Sequence, residues 1–283
     1  MAEVKTTTTT APRPAPKAAV AGKPKNSGSM LLNFIVVVAC IAIGQLIYYF
    51  VLGAPGNFND AERHSPKNVM GTMYLGGFVV PILMATLLTL IAFIIERALT
   101  IFKAKGSMNA GEFVRKVQYH LANKNIDAAI AECDKQRGSV GNVMKAGLIK
   151  YREMTTNGEL DTEQKVLSIQ KEIEEATALE LPMLERNLVF LSTIASAATL
   201  MGLIGTVLGM IRSFQAMGQA GAPDAAALAN GISEALINTA LGITTSLFAI
   251  IFYNFFTTII DGITFGIDES GFTLTQSFAA NYK

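Results

Sequence analysis

Charge is scarce in this sequence. Only 16% of its 283 residues are Asp, Glu, Lys or Arg, where a soluble globular chain averages roughly 25%. With 51% hydrophobic residues and a mean hydropathy of +0.38, the deficit points to a membrane protein. A net charge of +1 removes bulk attraction to nucleic acid as a theme. Cysteine is nearly missing as well. Cys40 lies in an apolar run and Cys133 in a distant charged segment, so no disulfide framework is implied. The two histidines, His64 and His120, stand apart from each other and from any metal-ligand spacing. There is no Ser/His/Asp set, no glycine-rich phosphate loop and no paired-acid site. Catalysis has no residues to rest on, and neither a metal nor a cofactor is expected.

What is present is apolar length. Four runs are long enough to cross a bilayer, which takes ~20 mainly apolar residues. Residues 1–28 are Thr, Ala, Pro and Lys with almost nothing bulky, and they read as a disordered tail. The first span follows over 29–53. A signal peptide competes for it, but the run exceeds a typical apolar core of 7–15 residues, and Ala54 precedes Pro55, a poor cleavage context. A Gly/Pro/Asn loop covers 54–73, and the second span covers 74–102, with Pro81 in its first two turns and Glu96 and Arg97 at its end as interface anchors. Residues 103–188 form a polar helical domain. Its last helix, opened by an Asp161 cap, runs straight into the third span with Pro182 as the only kink point. The third span is 189–214, the loop 215–230, the fourth span 231–260, and a tail of possible helix closes the chain at 261–283. The fold class is all-α, with long helices projecting from the membrane.

Orientation follows from the basic residues. Thirteen of the 23 Lys and Arg lie between Lys103 and Arg186 and five in the N-terminal tail, whereas the two connecting loops hold Arg63, Lys67 and, at the edge, Arg212. Positive charge stays on the cytoplasmic side. The tail and polar domain therefore belong in the cytoplasm, with both termini, and the two loops outside.

The last two spans carry polar residues where lipid tolerates them least. At 100° per residue, Glu234, Asn238, Gly242, Thr245 and Ala249 share one strip of the fourth span, with Thr239 and Ser246 on its flank. Such residues face protein or a wet lumen. Glu234 lies near the outer end, so it either reaches the surface or serves as a pore-mouth or partner-pairing carboxylate. Thr206, Thr239 and Thr245 either line a path or hide their hydroxyls on their own backbone. Gly202, Gly205 and Gly209 form a row of small residues, and with Gly242 they read as helix-packing positions.

Two segments carry a resemblance: LERNLVFLSTIASAATLMGLIGTVLGMIRSF (184–214) and GISEALINTALGITTSLFAIIFYNFF (231–256) resemble the ExbB/TolQ/MotA proton-channel family, and ExbB-like members most. GLIGTVLGM and the Glu-Ala-Leu-x-x-Thr-Ala-x-Gly pattern at 234–242 are specific in combination, and SVGNVMKAGL (139–148) is similar to the family's cytoplasmic domain. The resemblance spans about residues 74–256. It implies that Thr206 and Thr239 are pore-lining threonines and that Glu234 is the functional glutamate. It also implies an inner-membrane homopentamer enclosing a dimer of single-span ExbD-like helices, whose aspartate takes up and releases protons, and which energises a TonB-like protein. Thr199 and Phe248 stand where the family commonly has prolines, Asn238 where it has a small apolar residue, and the first span is an addition. A TolQ-like subunit, a flagellar or gliding stator, and a non-conducting scaffold are the competing readings. The spans hold no deep group that titrates near neutral pH, so a carboxylate from another chain is needed to complete a proton path.

Overall fold

The computed structural model describes residues 26–63, 65–219 and 225–282. The expectation of a disordered tail falls almost wholly outside them. Among the described residues the chain is helical, with no strand beyond one isolated bridge between Phe58 and Pro66. The helices are α1 (Asn26–Leu46), α2 (Val69–Leu75), α3 (Val79–Lys105), α4 (Ala110–Ala122), α5 (Ile126–Gln136), α6 (Ser139–Thr156), α7 (Thr162–Glu185), α8 (Leu188–Gln219) and α9 (Ala225–Asn281). Four of these segments are long and apolar enough to cross a membrane: the first, α3, α8 and the first half of α9.

α1 runs into a π-helical turn, Ile47–Leu52, and ends under a compact loop. Asn57 donates to the terminal carbonyls of Val51 (2.7 Å) and Leu52 (3.0 Å), the groups a helix end leaves unpaired. Asn68 caps α2 by accepting from the Gly71 amide, and its own amide reaches Asn57 at 3.0 Å. Tyr48 stacks on Tyr74 with ring centroids 4.8 Å apart. The second span therefore starts later than the apolar run suggested. Tyr74 belongs to the capping helix α2, and the chain turns at Gly76–Gly77, where Gly77 takes a φ of +73°, before α3 begins.

The membrane-distal domain also departs from expectation. It comprises α4 to α7 and, through its middle, the C-terminal half of α9. The sequence pattern marks residues 261–283 as a tail, yet Ile267, Leu274 and Phe278 are fully buried. Phe278 meets Tyr151 edge-to-face at 4.8 Å, and the Thr162 hydroxyl donates to the Tyr282 carbonyl at 3.0 Å. α9 is one helix of 57 residues, roughly 85 Å at 1.5 Å per residue.

The junction of α7 and α8 is broken where a continuous helix was expected. Pro182 sits inside α7 without ending it. The break comes at Arg186–Asn187, with Asn187 left-handed at φ +65°, a conformation asparagine adopts more readily than most residues. The Asn187 side chain is bonded on both sides: it accepts from Asn33 of α1 at 2.8 Å and donates to Glu96 of α3 at 3.1 Å. Arg97 is not an interface anchor either. It is 1% exposed, forks onto both oxygens of Glu96 at 3.0 Å, and donates to the Leu184 carbonyl at 2.9 Å. Glu96 is its chain neighbour, whereas the Leu184 carbonyl lies 87 residues away.

Candidate functional site

α8 and α9 form an antiparallel pair whose seam is built from small residues. A Cβ on Gly202 would meet the Asn238 carbonyl at 3.0 Å and the Gly242 Cα at 3.2 Å, and one on Gly242 would lie 2.6 Å from the Ala198 carbonyl. Gly209 faces Ala235 at 3.0 Å, and Gly205 would strike the Asn238 side chain at 2.5 Å. All four glycines thus sit where the two backbones come closest. In an apolar medium, contact of this kind drives association through dispersion and close packing.

Into this seam the helices place two hydroxyls. Thr206 of α8 and Thr239 of α9 are hydrogen-bonded to each other across the interface. Both also reach the Gly202 carbonyl, at 3.2 and 3.4 Å. For Thr206 that carbonyl is the one four residues back on its own helix, so the local backbone bond and the interhelical bond coexist. The pair is half-buried within the single chain. Two hydroxyls sharing an acceptor can donate and accept hydrogen bonds, but neither titrates near neutral pH.

One and a half turns toward the α8–α9 connection, Glu234 pairs with Arg212 of α8 at 2.8 Å. The Glu234 side chain is only 13% exposed and the Arg212 side chain 48%. Arg212 lies over the Phe78 ring, 5.7 Å from its centroid, a cation–π geometry. The turn Gly76–Gly77 backs the pair. A Cβ on Gly77 would sit 2.7 Å from Glu234 Oε1 and 2.8 Å from Arg212 Nη1. Nothing in the sequence pattern singled out Arg212 or Gly77. The glycine pair Gly76–Gly77 at the start of a span was the available signal.

Asn238 and Thr245 lie elsewhere than a lumen-lining strip would put them. Both are enclosed within the protomer, at 0% and 1% exposure. Asn238 donates to the Gly76 carbonyl at 3.0 Å, and its Oδ1 has no hydrogen-bond partner among the described residues. Thr245 bonds its own helix at the Leu241 carbonyl, 2.8 Å away. The strip read from the sequence is the face α9 turns inward to α8, α2 and α3. The outward faces of the pair are apolar, with Leu203, Val207 and Ile211 exposed on α8 and Leu236, Ile243 and Leu247 on α9. At the opposite end of the seam, a cavity of about 340 Å³ is lined by polar groups including Glu185, Ser192, Tyr253, Thr257 and Asp261.

Comparison with known proteins meets this geometry. The model of the MotA/TolQ/ExbB proton channel family matches residues 136–269, which contain α6, α7, α8 and most of α9. An ExbB-like biopolymer transport protein of Synechocystis sp. is 33% identical over 183 residues, covering 64% of this chain and 81% of the relative. The Tol-Pal system protein TolQ of Pseudomonas aeruginosa is 28% identical over 177 residues, 60% of this chain and 76% of the relative. The biopolymer transport protein ExbB of Xanthomonas campestris pv. campestris is 26% identical over 180 residues, 62% and 66% of the two chains.

Proposed function

The chain belongs to the MotA/TolQ/ExbB proton channel family, and from that premise we propose that it is the proton-conducting subunit of an energy transducer. The family is one of channels rather than of enzymes. The observation that carries the proposal is the hydroxyl pair Thr206–Thr239, held together inside two spans where an isolated polar group would cost several kcal/mol.

The pair lacks a titrating neighbour of its own. Between Leu188 and Ile260 the only acids are Asp224 and Glu234, and Glu234 is engaged by Arg212. Passage of protons past the threonines then calls for a carboxylate brought by a second chain. An ExbD-like single-span partner, a dimer inside a homopentamer of this chain, is that second chain. Pore contact is assigned to Thr206, Thr239 and the outer pair Glu234–Arg212, and a structural role to Asn238 and Thr245. The polar cavity at the inner end of α8 and α9 supports a wet exit. Each proton moving inward releases about 2.3 kcal/mol per 100 mV of membrane potential. That work energises a TonB-like protein across an inner membrane in which both termini are cytoplasmic.

A TolQ-like role is the second reading, favoured by the match to TolQ of Pseudomonas aeruginosa. Vesicles holding the chain and its ExbD-like partner test conduction. Dye-reported proton uptake is expected to fall strongly in Thr206→Val/Thr239→Val and to survive in Thr239→Ser. Undiminished flux in the double valine variant refutes the channel reading. A deletion strain separates the two roles: loss of energised uptake with an intact outer membrane fits ExbB, and detergent sensitivity fits TolQ.

A further inference from the structure

A cavity of about 250 Å³ opens where α3 ends, α6 begins and α7 passes, lined by Lys103, Arg137, Ser139, Asn142 and Glu180 among others. α6 starts after Gly138 with no side-chain cap. Its first three residues, Ser139, Val140 and Gly141, have no carbonyl one turn back to accept their N–H groups. Those three N–H groups find no hydrogen-bond partner among the described residues, and the first amide to bond backward is that of Asn142, to Gly138 at 2.9 Å. All three residues are buried. Such groups are almost always paired in folded proteins.

A second, independent observation points the same way. Ser139 is 3% exposed and lines the cavity, yet its hydroxyl makes no hydrogen bond among the described residues. The cations beside it are unclaimed too, since neither Lys103 nor Arg137 has a carboxylate within ion-pair distance among the described residues. Glu180, the one acid of the lining, instead accepts from the Asn142 amide at 2.9 Å. An uncapped helix start, an unpartnered hydroxyl that a buried residue opens to the cavity, and two uncommitted cations converge on one small volume. We propose that this pocket binds a phosphate-class oxyanion, held by the α6 amides and Ser139 and neutralised by Lys103 and Arg137.

The place of the pocket admits two sources of that group. It lies at the end of the α3 span and is lined by Met183 of α7, an exposed apolar residue, while α3 carries exposed Leu99 and Phe102 in the same turn and a half. An anionic phospholipid could supply the phosphate from the bilayer surface, or free phosphate could enter from solution. The contrasting surface is the groove between α4 and α5, where Lys116 and Lys135 are already paired with Glu112 and Glu132.

The test uses the full-length protein in two arms. Calorimetric titration with inorganic phosphate at fixed ionic strength measures free oxyanion. Native mass spectrometry after release from nanodiscs of phosphatidylcholine, with or without phosphatidylglycerol, measures the headgroup. Retention in the first arm supports a soluble ligand, and retention of phosphatidylglycerol alone supports the lipid. In whichever arm binds, Arg137→Gln and Lys103→Gln are each expected to weaken it about tenfold, and Ser139→Ala about fivefold with an unchanged melting temperature. Arg115→Gln, in the α4–α5 groove, is expected to leave it unaltered. Wild-type protein that retains neither probe overturns the proposal, as does equal binding by Ser139→Ala and both charge variants.

Discussion

The guanidinium of Arg97 donates to the backbone carbonyl of Leu184 at 2.9 Å, fastening the end of the second span to the last turn of the helix before the third. The contact is buried, and it lies beside the Asn187 break.

Removing that guanidinium leaves the Leu184 carbonyl without its side-chain donor and takes the countercharge from half-buried Glu96, which keeps only Asn187 and Thr100 as donors among the described residues. Arg97→Leu is expected to destabilise the protein by about 3 kcal/mol. Arg97→Lys recovers only part of that, because an ammonium lacks the planar fork that grips both Glu96 oxygens. Unfolding in detergent, followed by helicity, measures both. A leucine variant as stable as wild type would remove Arg97 from the framework of the fold.

Gly77 offers a gentler way to disturb the Glu234–Arg212 ion pair. Alanine there meets a left-handed backbone penalty of about 1–2 kcal/mol, and its Cβ would lie 2.7 Å from Glu234 Oε1. Gly77→Ala is expected to lower proton flux more than stability. Flux at the wild-type level in reconstituted vesicles would show that the Glu234–Arg212 geometry does not matter to conduction.

The seam between α8 and α9 can be opened by one side chain. Gly242→Val forces atoms onto the Ala198 carbonyl, 2.6 Å from the first added carbon, at roughly 1–3 kcal/mol. The Thr206–Thr239 bond should part with it. Cysteines at both threonine positions, in a chain whose Cys40 and Cys133 have been replaced, are expected to cross-link readily. The same pair should fail to do so once Gly242→Val is added.

Cys133 gives a prediction in pH. Burial, with Asp134 nearby, pushes its thiol up from 9.0 to about 12. In the unfolded chain the thiol ionises first, so above about pH 9 the unfolded state holds fewer protons than the folded one. Stability is therefore full below that pH and declines as pH climbs towards 12. Cys133→Ser is expected to flatten this part of the profile. At neutral pH the wild-type thiol should react with a disulfide reagent only after denaturation.

The apolar runs were legible because a bilayer demands length, and length is readable without partners. The threonine pair was legible because hydroxyls at that depth need a reason. Asn187 and Arg97 were not, since their meaning lies in contacts with Asn33, Glu96 and Leu184 from remote segments. Pro182 drew attention as a kink, although a helix whose carbonyls find other donors can absorb a proline. The closing segment held a signal that its glycines obscured: Ile263, Ile267, Leu274 and Phe278 recur at helical spacing and all are buried. For Asn238 and Thr245 the pattern left lumen and protein both open, because a polar strip looks the same whether it meets water or another helix.

α9 runs from Thr239 to Phe278 without a joint. A helix of that kind acts as a stiff lever: a tilt of about 5° at the threonine end carries the phenylalanine end sideways by about 5 Å, given 1.5 Å of rise per residue. Motion at the threonine pair is thereby handed to the heart of the helical domain around Phe278 without an intermediary.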